Sequence, residues 1–583
     1  MTTTRKTTRC LFCSLGCPLA VEEHARGLTR PVYVQGNGSF AGGRLCYRGH
    51  YVAALMSHRR RLLGSQRGRC DGGIGDGTAV YAETAEQIAQ AIDQGSLGVL
   101  LSGNLATSDV FAVAARLTQL IGGECVSVFM PAGDAALLGG LEFERGDVAS
   151  LDALKDADVV CAIGDVLGTH PVLGKALMDV LERNGKTGLI NIDSARGRTM
   201  RFAQAPLLAQ SGREAEACAA LAQACQADVS GVLNKKTARK KLLNCCGLSV
   251  DQIDEAAAAL SQAKSAVVVV TLPPGREHAG ELIAQLASRL AQATEAKLLP
   301  LYQYGGSPGA FAVQRRLGLA ELGGWLAAAR AGRFKTMLLL DVDVAGHVPE
   351  SLFGQIRGSV EQLIAASAMP SETTSQADIV LPLAFWFETD GHLLDQQGER
   401  LELHALRSPP GGALGAVALV DRIVGSVAGK AEPAEGAGLG DLDASWRGAA
   451  KASPRPVSLC QSAGEHSYRV TSRTETLDLY DGFLSRQLDW PLSMEPTPAV
   501  LMHPSDAEQL RVRDNDTVRL THEAGSVELS ARVSTSVWPG TLAVVATVPH
   551  TRNLFSWQTE DDRLTIEPLP VQVTALSPAR QKT

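Results

Sequence analysis

The sequence predicts an α/β protein in four parts: a small cysteine-rich N-terminal lobe, two lobes of alternating strands and helices, and a C-terminal β-barrel. Three observations carry this expectation. Four of the twelve cysteines fall within the first 46 residues, in a stretch rich in Gly and Arg with little apolar periodicity. From about Thr84, short apolar runs alternate with Ala/Leu-rich stretches, the signature of βαβ units around parallel sheets. Beyond about residue 466, β-branched runs follow one another with turn residues between them, as in a closed barrel.

Each part has its own texture. Residues 1–63 form the cysteine lobe, stabilised more by what its thiols bind than by an apolar core. Residues 64–265 form a Rossmann-like lobe, with strand-sized runs in GVLLSG, ADVVCAIGDV and TGLINID. Its last part, from about Gln204 to Ala263, is Ala-, Leu- and Gln-rich at helical spacing and reads as a helical insertion, with the Cys245-Cys246 pair as plain packing or a chance surface thiol. Residues 266–428 form a second Rossmann-like lobe, starting at SAVVVVTLPPG and running through TEAKLLPLYQYGG, FKTMLLLDVDV and ADIVLPLA. Residues 429–465, rich in Gly, Ala and Pro, read as a linker. In residues 466–583, TVRLTH, SVELSARVS and TLAVVATVP are separated by turns at Asp514-Asn515-Asp516 and Pro539-Gly540. No internal repeat stands out at a period of 20 to 50 residues.

Composition excludes several classes. At 583 residues the chain is about four times the usual domain size, so it is no single small binding module. The net charge of −7 comes without long runs of one sign, which leaves no footprint for nucleic acid. The run His58-Arg59-Arg60-Arg61 reads as a solvated turn or helix end, or as a local contact to an anionic group. No stretch reaches the length of a membrane span, and the N-terminus lacks the apolar core of a secretory signal, so a cytoplasmic chain is expected.

Cys10, Cys13, Cys17 and Cys46 make the pattern C-x2-C-x3-C-x28-C, followed by Tyr47-Arg48-Gly49. Three thiolates on one tight loop and a fourth from a distant one can each bind one iron of a cubane, so a [4Fe–4S] cluster is the natural occupant. Zinc is the competitor, although structural zinc sites usually pair two CxxC knuckles rather than a triplet and a single. With all four thiols supplied, the cluster would transfer electrons.

CLFCSLGC followed by LCYRGH resembles the iron–sulfur lobe of the molybdopterin oxidoreductases, which include formate dehydrogenases, formylmethanofuran dehydrogenases and the large iron–sulfur subunit of complex I. The resemblance extends along almost the whole chain. ADVVCAIGDVLGTHPVLGKAL is similar to the family's ADxxxxxGxNPxxxHPV, GLINIDSARGRT to its xxIDPRxT, and ADIVLPLAFWFETDGHLLDQQGER to its ADVVLPxxxxxExxGTxxNxEGR. Pro498–Pro504 and the segments after it resemble the double-psi barrel that closes over the cofactor's dinucleotides.

The resemblance implies a pterin cofactor with two guanine dinucleotides binding molybdenum or tungsten, one dinucleotide per α/β lobe, held where strands end and helices begin. It carries the cofactor contacts onto Gly164, Asp165, His170, Asp193, Arg198, Gly305, Gly306, Asp378 and Asn553, and puts Arg48 between cluster and pterin where the family usually has Lys. An acidic residue at a strand end, such as Asp193, suits a ribose or guanine. The family pattern departs at the metal. Relatives with formate or formyl chemistry place Cys or selenocysteine and then His where this chain has Phe129 and Met130, with Cys125 four residues early and Asp134 five late in GGECVSVFMPAGDAALLGG. Asp341 stands where the family often has Gly, and Ser194-Ala195 replaces Pro-Arg.

Two functions follow. One is two-electron redox of a small formate- or formyl-like substrate at molybdenum or tungsten, with electrons leaving through the cluster. The other is an electron-transfer or scaffold subunit whose pterin site has degenerated. Both imply partner subunits carrying further iron–sulfur clusters or flavin, because the chain has one cluster motif.

Overall fold

The computed structural model describes residues 3–24, 32–36, 43–68, 77–144, 147–184, 188–233, 237–276, 279–425, 467–474, 483–488, 499–523, 525–546, 548, 550–560 and 562–577. The linker expected at 429–465 lies outside them. The chain forms two compact units, each assembled from separate stretches of sequence. One is Met1–Pro131 with Tyr304–Ala444 and Gln558–Thr565, the other Ala132–Gln303 with Ser445–Trp557 and Ile566–Thr583.

In the first unit β1 (Thr3–Arg9), β2 (Pro18–His24) and β3 (Val32–Gly36) form an antiparallel sheet, followed by the helix Tyr47–Met56. A six-stranded sheet follows, in the order β4 (Gln66–Arg67), β14 (Ile379–Pro382), β13 (Gln362–Ser367), β12 (Thr336–Leu340), β5 (Leu97–Ser102), β6 (Val126–Phe129). All but β4 run parallel. The hairpin β15 (Gly391–Leu394) and β16 (Arg400–Leu403) also belongs to this unit.

The second unit has a five-stranded parallel sheet in the order β11 (Lys297–Pro300), β10 (Ala266–Val270), β7 (Val159–Ile163), β8 (Leu189–Asp193), β9 (Ala205–Leu208). Beside it a closed six-stranded barrel runs β17 (Tyr468–Ser472), β21 (Thr541–Val544), β18 (Ala499–Met502), β20 (Gly525–Val533), β19 (Thr517–His522), β24 (Pro570–Ser577). Two of its pairs, β17 with β21 and β18 with β20, are parallel. Between β21 and β24 the chain forms β22 (Phe555–Glu560) and β23 (Arg563–Pro568).

The strand sequences explain the sheets. Ala266–Val270 is AVVVV and buried at every residue, and β5 is LGVLLS, equally buried. Strands covered on both faces need continuous apolar runs, and each buried Val or Leu contributes roughly 1.5–3 kcal/mol. Helices are started by local signals. The helix Val250–Gln262 opens on a capping box in which the Ser249 hydroxyl accepts from the Gln252 N–H and the Gln252 side chain accepts from the Ser249 N–H.

Contiguous lobes at 64–265 and 266–428 are not what forms. After β6 the chain leaves to build the whole second sheet and returns at β12, which lies against β5 in the register Thr336↔Leu97 to Leu340↔Leu101. Alternation of strand and helix fixes the layers but carries no record of which strand pairs with which. The insertion expected from Gln204 likewise begins with a strand, β9, before its helices at Glu214–Ala224, Arg239–Cys246 and Val250–Gln262. Cys246 is a buried free thiol there, as expected of a packing residue, whereas Cys245, expected to be a packing or surface thiol, is disulfide-bonded.

The arginine run is also corrected. Arg59 and Arg60 are exposed, whereas Arg61 is buried, donates from Nη2 to Glu388 Oε2 at 2.8 Å, and lies 4.3 Å over the Phe385 ring. Glu388, itself fully buried, also accepts from Arg407. Glu388 belongs to the long motif that follows β14, so the partner that buries Arg61 is 327 residues away, out of reach of a local charge pattern.

Candidate cofactor sites

The cysteine loop joins β1 to β2. Arg9 pairs with Pro18, and the Cys10 N–H donates to the Cys17 carbonyl at 2.9 Å, which closes the loop on itself. Gly16, at φ 53°, makes the tight turn that only glycine takes without strain, and a Cβ there would lie 2.9 Å from the Leu401 side chain. Leu11 and Phe12 anchor the loop: Leu11 is fully buried, and Phe12 packs edge-on against Tyr51 and Trp386. Cys46 caps the helix Tyr47–Met56 without a side-chain hydrogen bond to it.

Cys10, Cys13 and Cys17 are buried, Cys46 half-buried, and none of the four is in a disulfide. Burial pushes the Cys10 and Cys17 thiols well above the ordinary thiol range, and repulsion from the other cysteines of the set adds to it. Burial opposes the Arg48 charge, but Tyr47, Cys46 and Cys13 outweigh it and leave the guanidinium more basic than usual. Among the described residues no group of three or more His, Cys, Asp or Glu closes tightly enough for a single ion. Four thiols within Coulombic reach of one another are the donor set a cubane would take, one thiolate at each iron. Arg48, buried beside them, supplies the positive charge expected at its position.

The turns carried over for the dinucleotides are built on one recurring plan. After β7, the Asp165 carboxylate accepts from the Gly168 N–H at 3.3 Å, the Thr199 N–H at 2.9 Å and the Thr199 hydroxyl at 2.8 Å, and from the Thr474 hydroxyl at 2.6 Å. After β12, Asp343 accepts from Gly346 N–H at 3.3 Å, Thr373 N–H at 2.9 Å and the Thr373 hydroxyl at 2.8 Å. Thr199 then accepts from Leu167 N–H, as Thr373 does from Ala345 N–H. The correspondence continues to the next strands. Leu189 N–H donates to the Gln204 side chain and Leu363 N–H to Asp378 Oδ2, each at 2.8 Å. One βαβ unit has thus been used twice, at a separation no short-period search would register.

This geometry gives several of the predicted cofactor residues a task within their own lobe. Asp165 locks a turn. Asp378 spends one oxygen on Leu363 and the other on Arg357 at 2.8 Å. His170 is fully buried, with Nε2 on the Tyr302 carbonyl at 3.0 Å and Nδ1 on the Thr169 hydroxyl at 2.8 Å; because a carbonyl only accepts, the proton sits on Nε2. Gly305 and Gly306 make room for backbone: a Cβ on Gly305 would lie 2.7 Å from the Leu11 carbonyl, and one on Gly306 would lie 2.2 Å from that of Gly103. Gly306→Ala is therefore expected to destabilise the first unit by about 3 kcal/mol, as overpacking against rigid backbone does. A denaturant midpoint unchanged from that of the unsubstituted protein would contradict it. Arg198 is exposed on the short helix Arg198–Phe202, and Asn553 is half-buried.

Asp193 differs from these. It ends β8, fully buried, and its Oδ1 accepts from the Ala195 N–H at 3.0 Å and from Arg276 Nη1. Oδ2 is buried with no hydrogen-bond partner. The chain order reverses between β7 and β10, the crevice where such sheets bind ligands. There Gly164, at φ 89°, would bring a Cβ to 2.2 Å from the Thr271 carbonyl, so the two loops touch at the crevice floor. Arg276, on the loop after β10, crosses over to Asp193. As placed, this carboxylate is taken by the protein's own guanidinium and does not fit a dinucleotide base.

Burial pushes the Asp193 carboxyl up to about 6, with Arg276 opposing the shift. A carboxyl raised in the fold binds more protons there than in the unfolded chain, so its contribution falls as pH rises from about 4 to about 6. Asp193→Asn is expected to remove that part of the slope when denaturant midpoints are compared across this interval, and an identical slope would contradict it.

At the position where relatives of formate chemistry carry Cys-His, Phe129 ends β6 buried against the His347 ring at 4.9 Å, and Met130 is buried beside it in sequence. Cys125 is buried too and accepts weakly from Arg333 at 3.5 Å. Asp134 is buried in the second unit, where its Oδ1 accepts from the Gln303 N–H at 2.8 Å. Asp341, the residue after β12, is at φ 56°, a left-handed conformation that suits glycine best. It puts a carboxylate at a turn where the resemblance places phosphate.

A cysteine lobe, two α/β sheets built on one plan and a closed barrel define the fold class of the pterin-dinucleotide proteins. Residues 79–414 match the family model described as molybdopterin oxidoreductase, and residues 481–568 match the molydopterin dinucleotide binding domain. The chain belongs to the molybdopterin oxidoreductase family. It is 26% identical over 407 residues to an NADH-quinone oxidoreductase subunit from Pseudomonas putida, a match covering 67% of this chain and 44% of that protein. With the NADH-quinone oxidoreductase subunit of the same name from Pseudomonas fluorescens it shares 30% identity over 162 residues, 27% of this chain and 18% of the other. The aligned chain thus spans less than half the length of these curated relatives. The fold resembles that of acetylene hydratase from Pelobacter acetylenicus, with a TM-score of 0.72 at 14% identity, covering 98% of this chain and all of that one. No helix among the described residues is long and apolar enough to cross a membrane.

Proposed function

We propose that this chain is an electron-transfer subunit of a larger redox assembly, passing single electrons through one [4Fe–4S] cluster on Cys10, Cys13, Cys17 and Cys46. The observation that carries the proposal is the set of four thiols free of disulfides on an anchored loop and a helix cap, with the buried Arg48 charge beside them. Such a cluster gains and loses one electron at a time, and Arg48 favours the more negative, reduced state. The relatives named as subunits of an NADH-quinone oxidoreductase support partners that carry further iron–sulfur clusters or flavin. Phe129 and Met130 offer a metal neither thiolate nor imidazole, which favours electron relay over substrate chemistry at that point.

The match of residues 481–568 to a dinucleotide-binding domain favours a second reading: molybdenum or tungsten on pterin dinucleotides, acting on a small formate- or formyl-like substrate. Metal analysis of anaerobically purified protein separates the two. About four irons without molybdenum or tungsten is the result expected of an electron-transfer subunit. Four irons with one molybdenum or tungsten per chain would establish the second reading.

A further inference from the structure

Arg276 lies in the loop Thr271–Arg276, which leaves β10 and packs against the barrel. Gly275, at φ 78°, would bring a Cβ to 2.8 Å from the Phe555 ring and 2.9 Å from Ser472. From this seat Arg276 donates from Nε to the Ser472 carbonyl at 2.8 Å, from Nη2 to the same oxygen, and from Nη1 to Asp193. The side chain is 5% exposed and its partner fully buried. The loop, the sheet and the barrel strand β17 all belong to the second unit.

The chemistry of the contact resembles a ligand's. Guanine presents a ring N–H and an adjacent amino group in one plane, a donor pair that matches a carboxylate; a guanidinium presents donors of the same kind, and Arg276 uses one of them, Nη1, on Asp193 Oδ1 while Nε and Nη2 go to the Ser472 carbonyl. The guanine pair would need both oxygens of Asp193, and Arg276 already holds Oδ1. Two buried acceptors, Asp193 Oδ2 and Ser472 Oγ, have no hydrogen-bond partner around this arginine, so the pocket holds more polar capacity than Arg276 uses.

We propose that Arg276 is an internal stand-in for a guanine base, occupying Asp193 so that the crevice of the second unit holds no dinucleotide. The duplicated lobe offers a contrast. The residue matching Asp193 at the end of β13 is Ser367, whose hydroxyl donates to the Met369 carbonyl at 2.9 Å, so no carboxylate there requires a covering cation. Arg276 is needed only where the acid was kept. The inference deepens the electron-transfer reading, on which it rests only in taking the chain to work without a dinucleotide in this lobe.

The test is calorimetric titration of guanosine 5′-monophosphate into the full-length, cluster-containing protein. Arg276→Ala is expected to bind at least about ten-fold more tightly than the unsubstituted protein. Adenosine 5′-monophosphate, which lacks the paired donors, should show no gain. Adding Asp193→Asn should abolish the gain while relieving the uncovered buried charge. Equal guanosine binding with and without Arg276, or a gain that survives Asp193→Asn, would overturn the proposal. Should Arg276→Ala fail to fold, acid extraction of the unsubstituted protein decides: at most one guanine dinucleotide per chain supports it and two overturn it. Molybdenum with a single dinucleotide would sink the electron-transfer reading and leave this proposal standing. A protein with about four irons, no molybdenum or tungsten, and no guanosine gain in Arg276→Ala would do the reverse.

Discussion

Cys17→Ser is expected to take the iron content of anaerobically purified protein from about four atoms per chain to below one. A cubane needs a thiolate at each iron, and a serine hydroxyl ionises far too weakly to replace one. The loop itself should survive the loss. Its closing hydrogen bond runs through the Cys17 backbone, and its anchors are Leu11 and Phe12, none of which the substitution touches. Iron and visible absorption should therefore disappear while the circular dichroism of the fold stays close to that of the unsubstituted protein. Cys125→Ser and Cys246→Ser, which alter buried thiols outside the loop, should keep their iron. Full iron retention in Cys17→Ser would remove that residue from the ligand set. One zinc and no iron in the unsubstituted chain would replace the cluster by a structural zinc site. Because the bound metal takes thiolates, loading must release the protons that burial holds on Cys10 and Cys17, so the apo protein should take up iron more readily as pH rises.

What was legible in the sequence divides by the range of the interaction. The cysteine spacing, the buried strands such as Ala266–Val270 and the barrel runs are local patterns, and each appears where its pattern puts it. The interleaving of the two sheets depends on β12 choosing β5, a pairing between residues more than 200 positions apart that leaves no local trace. The same holds for the candidate site. Gly164 and Asp193 could be found because turns and strand ends carry composition. That Asp165 faces Thr199 and Thr474, or that Arg276 reaches Asp193, follows from tertiary packing alone. Arg276 was missed although the signal existed: an arginine after Pro-Pro-Gly at a strand's C-terminal end, where a crevice forms and where a cation needs a buried acid.

Asp165→Ala should be among the most damaging single substitutions in the second unit. Four donors converge on that carboxylate, two of them backbone N–H groups held in a buried turn. Leaving a buried donor unsatisfied costs about 1–3 kcal/mol, so the sum is about 4 kcal/mol or more against a typical total of 5–15. Asp343→Ala removes the acceptor for three donors in the first unit and should cost about 3 kcal/mol on the same scale. Since a two-unit chain need not unfold in one step, a midpoint alone does not say which unit a substitution weakens. Hydrogen exchange resolves the units: Asp165→Ala should speed exchange at the Thr199 amide and leave Thr373 as it was, and Asp343→Ala should do the opposite. Asp165→Asn, which keeps one acceptor oxygen, should fall between the alanine variant and the unsubstituted protein. If Asp165→Ala left Thr199 exchange unchanged and instead weakened dinucleotide binding, Asp165 would return to the ligands of the cofactor. The hydrogen bonds favour the structural outcome, because every donor around the carboxylate already belongs to the protein and the residue is 2% exposed.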